Sequence, residues 1–79
     1  MKLFLLTQEQ VRGYDTYDSC VVCAKNEDKA RLVRPSRTWE DSTPYPSWAT
    51  NPSKVNVKYL GDAEPSMKEG VVLASFNAG

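Results

Sequence analysis

Seventy-nine residues carry ten basic and ten acidic side chains, a formal net charge of zero, and no histidine. That balance argues against a dedicated nucleic-acid coat or an acidic mimic of one, and the missing imidazole removes the commonest general base and the commonest zinc ligand together. The length suits one domain, residues 1–79, but a chain this short buries only about 60% of its unfolded surface, so a partner or a second copy would help it.

The chain opens with "KLFLLT", Lys2–Thr7, with Leu3 and Leu5 on one alternating face and Phe4 and Leu6 on the other. A short run that is apolar both ways predicts a strand covered on both sides, hence a central one. Its apolar stretch, Leu3–Leu6, falls short of the roughly 7–15 residues of a signal-peptide core. No segment approaches the roughly 18 apolar residues of a membrane span, so a soluble cytoplasmic protein without a membrane partner is expected. "SCVVCA", Ser19–Ala24, predicts a second strand of the same two-faced kind. The polar stretch between them carries Gly13, so the two strands should form an antiparallel hairpin with a long irregular loop.

A short helix should follow. Asn26 is a suitable N-cap, Glu27 and Asp28 suit the positive end of the helix dipole, and Arg31 and Arg34 suit the negative end before Pro35 stops it. About two turns cannot persist in isolation, so the helix must lie on the sheet. Residues Ser36–Ser53 hold three prolines and both tryptophans without periodicity; loops longer than about 12–15 residues tend to be functional or packed by their own side chains. "KVNVKYLG", Lys54–Gly61, alternates cleanly and predicts an edge strand with one wet face. "GVVLASF", Gly70–Phe76, is again apolar both ways. The expected fold is α+β: a β-β-α-β-β domain with a four-stranded mixed sheet ordered 2-1-4-3, the helix on one face and a long Pro/Trp loop. Three two-faced strands and one short helix leave a face to cover, and Trp39, Tyr45 and Trp48 are the candidates, either as a lid or as an interaction surface.

Three motifs bear on chemistry. Cys20 and Cys23 match a redox spacing, but in a strand such residues point to opposite faces, roughly 10 Å apart, too far for a disulfide; two small buried side chains are expected. The run Tyr14, Asp15, Thr16, Tyr17, Asp18 is either a turn, with Gly13 and the aspartates shaping the backbone, or a ligand site of aromatic platforms and acceptors. In the latter case it would converge with Ser75 and Asn77 at one end of the sheet. Lys25, Lys29, Arg31, Arg34 and Arg37 form a basic cluster able to meet phosphate or an acidic protein, although such residues near a helix C-terminus are ordinary. Nucleic acid is not the expected partner. Without histidine no Ser/His/Asp or Cys/His set is possible, no phosphate loop or metal-ligand cluster is evident, and neither enzymatic activity nor a cofactor is expected.

"KLFLLTQ", "GYDTYDSCVVCAKNEDKAR", a Trp-bearing middle, "VKYLGDA" and "GVVLASFNAG" together resemble a group of small bacteriophage and prophage proteins of unknown function. The resemblance spans most of the chain, with Gly13–Ser19 and Ala74–Gly79 its most specific parts, and it implies action in a bacterial cytoplasm. It carries no catalytic residues with it. The expected function is therefore a non-enzymatic binding protein that engages, and by doing so inhibits, a host protein through an aromatic-rich surface, or that binds itself. The alternative is a small-ligand or nucleotide binder using residues 13–19 and the Ser-Phe-Asn segment.

Overall fold

The computed structural model describes residues 1–13, 16–35 and 47–77. Within them the order is β1 (Lys2–Gln8), β2 (Thr16–Ala24), α1 (Glu27–Arg31), a single 3₁₀ turn (Pro52–Lys54), β3 (Val55–Asp62) and β4 (Gly70–Asn77). The sheet is ordered β3-β1-β2-β4 and every neighbouring pair is antiparallel.

β1 and β2 form the expected hairpin, Lys2 opposite Ala24 through Thr7 opposite Ser19. The rest of the order corrects the 2-1-4-3 expectation. β4 joins the free side of β2 and is an edge, whereas its two-faced apolar pattern had argued for a centre; β3 is the edge strand its alternation predicts, on the far side of β1. The final two strands are therefore not neighbours. Residues 63–69 carry the chain across the end of the sheet from one edge to the other, anchored where the Ala63 amide donates to the Met1 carbonyl at 3.0 Å. Gly61 and Gly70 bracket that crossing with φ of 152° and 134°, angles that side chains disfavour and that explain a glycine at each end.

α1 starts as its sequence predicts, the Asn26 side chain accepting from the Lys29 amide at 2.9 Å. It ends earlier. Leu32 is the C-cap, and the amides of Leu32 and Val33 bond three residues back, to Lys29 and Ala30. The pyrrolidine of Pro35 disfavours helical backbone at the residue before it, so Arg34 lies beyond the helix rather than in its last turn.

Side-chain parity divides the sheet into two unlike faces. Phe4 and Leu6 of β1, Cys20, Val22 and Ala24 of β2, and Val55 of β3 share one face, and there they form a buried cluster with Ala30 of α1, Trp48 and Ala49. The tryptophan thus lies on the helix side of the sheet, not over the opposite face as a lid, and it is 1% exposed. The five-residue helix is too small to close that layer alone, and the indole completes it. Trp48→Ala therefore removes an element of the core, and equilibrium urea unfolding should show a loss of about 3–5 kcal/mol; a change below about 0.5 kcal/mol would mark a surface position instead.

Candidate interaction surface

The opposite face begins at a corner where the buried Cys23 meets the exposed Met1. Cys23 points away from the core cluster that contains Cys20, as strand alternation requires, and its Sγ lies 3.7 Å from the Met1 Sδ. Both thiols are free. Burial pushes the Cys20 thiol from its ordinary value near 9 up to about 12, making it a poor nucleophile.

Register then sets the side chains of this back face in transverse rows. Leu5 of β1 faces Val21 of β2, Val21 faces Leu73 of β4, and Lys58 of β3 flanks Leu5. One step toward the β1–β2 loop, the row is polar: Asn56, Thr7, Ser19 and Ser75. Leu5 and Val21 are half-buried by their neighbours, and Leu73 is 68% exposed. A shallow depression of about 240 Å³ lies along Leu5, Val21, Leu73, Ser19 and Ser75. Among the described residues no element packs over this face.

The polar row runs into a second, open cleft of about 480 Å³, lined by Thr7, Glu9, Arg12, Asp18 and Asn56. Its walls are held by a residue that had not been singled out in the sequence. Gln8 is buried at the end of β1, donates through Nε2 to the carbonyls of Val11 at 2.6 Å and Tyr17 at 3.0 Å, and accepts from the Val11 amide at 2.8 Å. All three bonds go to backbone, so one amide fixes the bend of the β1–β2 loop, and a buried Gln at a strand end was the available signal. Gln10 clamps the same loop to the segment after Trp48, donating to the Thr50 hydroxyl at 2.9 Å and accepting from its amide.

The motif run lands in several places. β2 starts at Thr16, so Thr16, Tyr17 and Asp18 belong to a strand rather than to a loop. The Thr16 hydroxyl is buried and donates to the Gly13 carbonyl at 2.7 Å, a structural closure of the turn. A bulge at Asp18 turns Tyr17 toward the core, where it meets Phe76 at 4.8 Å between ring centres, and leaves Asp18 exposed at the cleft. Tyr17 is therefore occupied by packing and is no open stacking platform. The expected convergence with the C-terminal strand occurs, more intimately than foreseen, because β2 and β4 are direct neighbours: Thr16 opposite Asn77 and Ser19 opposite Ser75. Tyr14 and Asp15 lie outside the described residues, as do Trp39, Tyr45 and Arg37.

The basic cluster is divided. Lys25 and Lys29 are exposed, but the Arg31 guanidinium donates to the carbonyls of Val55 and Pro52, tying α1 to the start of β3, and Arg34 is buried, at 5% exposure. Arg31 thus fastens the helix to β3, and the buried Arg34 does not join the exposed lysines in a continuous phosphate-binding patch.

No family model, curated protein or solved structure matches the chain. No helix among the described residues is long and apolar enough to cross a membrane.

The buried thiol has a measurable consequence. In the folded protein Cys20 keeps its proton above the pH at which the unfolded thiol loses it, so the associated stability is complete below about pH 9 and is lost as the pH rises toward 12. The unfolding free energy should fall across that window, and Cys20→Ala should make the fall shallower; equal slopes for both proteins would contradict a buried, protonated thiol.

Proposed function

We propose that this chain is a non-enzymatic binding protein that holds a protein partner against the back face of its sheet, with Leu5, Val21 and Leu73 at the centre of the contact. One observation carries the reading: a leucine in regular strand, 68% exposed, continues a row of two further apolar side chains on a face that no described element covers. Burying an exposed leucine is worth about 1.5–3 kcal/mol, and the flanking Asn56, Thr7, Ser19 and Ser75 offer the polar rim that such contacts carry. Among the described residues the surface is aliphatic, because Trp48 is spent on the core. The resemblance to small phage proteins directs the reading to a bacterial host protein, inhibited by being occupied.

A second reading rests on the cleft lined by Glu9, Arg12 and Asp18. It holds charges of both signs and hydroxyl and amide groups, and its loop is braced by Gln8 and Gln10. A small polar ligand, such as a nucleotide, would meet Arg12 through an anionic group and Asp18 through a donor.

The two readings separate experimentally. Leu73→Ser should abolish retention of the specific protein that the unaltered chain draws from a bacterial lysate, while leaving the melting temperature close to its starting value. Retention of the same protein by both forms would sink the first reading. A nucleotide at 100 times its dissociation constant should stabilise the folded chain by about 2.7 kcal/mol, visible as a thermal shift that Arg12→Ala removes; no shift with any phosphate-bearing ligand would remove the nucleotide reading.

A further inference from the structure

The two edges of the sheet are unequally defended. β3 carries Lys58 at its middle and Asp62 at its end, with Lys54 just before it. Its Tyr59 is tied by a hydroxyl bond to Asp62 at 3.0 Å, and the Lys2 ammonium sits 5.9 Å from the Tyr59 ring centre. Lysines and other charges on an edge are the usual obstacle to strand addition. β4 has no charged residue and no proline from Gly70 to Asn77, it exposes Leu73 and Phe76, and among the described residues no strand pairs with its outer edge. Its one protective device is a bulge at Val72, where the register against β2 slips. Beyond the bulge Leu73–Asn77 is continuous strand, the second irregularity of the pairing being carried by β2 at Asp18, and among the described residues its outer backbone donors and acceptors meet no strand.

We propose that this stretch pairs with its own copy in a second molecule, antiparallel about a two-fold axis at Ser75, so that two four-stranded sheets become one of eight strands. Charge selects the occupant. A foreign strand is chosen by charges or side-chain pockets along the edge, and this edge offers no charge with which to choose; a second copy needs only that the edge not repel itself, and two uncharged strands on chains of zero net charge do not. Sequence supplies the fit. Centring the five residues on Ser75 sets Ser75 opposite Ser75, and Ala74 opposite Phe76 in both directions, small against large. Directly opposed residues of an antiparallel pair share a face, so both helices lie on one side of the joined sheet and both back faces on the other.

A five-residue ladder falls short of the roughly 800 Å² per partner of a tight interface, so the dimer is a weak one in rapid exchange. It does not rest on the reading of the sheet face as a binding surface, and the two are separable. Sedimentation equilibrium from low micromolar to millimolar concentration should show a mass rising from monomer to dimer. Ser75→Lys sets two ammonium groups opposite each other and should hold the chain monomeric throughout, with the far-ultraviolet circular dichroism spectrum unchanged because Ser75 is exposed in the monomer. Ser75→Glu should do the same, and mixing the two variants should restore the dimer. Leu73→Ser, which removes the apolar row but adds no charge, should leave dimerisation in place. A monomer at every concentration overturns the proposal and leaves the edge to a foreign strand. A dimer that survives Ser75→Lys and is lost with Leu73→Ser also overturns it, and moves the self-contact to the sheet face; a mixture of the charged variants that stays monomeric overturns the register at Ser75.

Discussion

The burial of Trp48 against one face of the sheet is the contact on which the rest of this structure depends. A helix of five residues covers little area, and without the indole and Ala49 beside it the side chains of Phe4, Leu6, Cys20, Val22 and Val55 would have, among the described residues, only the short α1 and its Ala30 over them. Committing the loop's tryptophan to that side has a consequence. The material needed to cover the other face is used up among the described residues, and the row from Leu5 to Leu73 is left with the Met1 side chain near one corner and a polar row along the other.

Hydrogen bonding makes the arrangement definite where hydrophobic contact cannot. The Tyr17 amide donates to the Ser47 carbonyl at 2.8 Å, Gln10 grips Thr50, and Arg31 grips the carbonyls beside β3. These ties come from β1–β2, from the segment around Trp48 and from α1, and together they hold three separate pieces of chain to one another. A hydrogen bond fixes direction as well as distance, so each of these bonds selects one relative placement among many that would bury similar apolar area.

The candidate surfaces follow from that economy. The back face is aliphatic and flat, suited to another protein; the cleft beside it is polar and braced, suited to a small ligand; the β4 edge is uncharged, suited to a strand. They adjoin because β2 and β4 are neighbours, which brings the bulge at Asp18, the polar row and the exposed part of β4 to one end of the molecule.

Local pattern determined the extent of all four strands to within a few residues, the Asn26 cap, and the opposite orientation of Cys20 and Cys23, because alternation and capping are properties of neighbouring residues. The same pattern put β1 in the middle and β3 at an edge, but it could not tell β2 from β4. Leu73 in an edge strand and Leu5 in a middle one both read as apolar on two faces, since alternation records the character of a side chain and not what covers it. Likewise the run from Thr16 to Asp18 read as loop hardware, and only the pairing with β4 made it strand, with a bulge that sends Tyr17 inward and Asp18 outward. Strand order, the side on which Trp48 lies, and the sequestering of Arg31 and Arg34 were decided by tertiary structure, because each depends on hydrogen bonds and contacts between residues far apart in the chain, for which a single sequence carries no local signature.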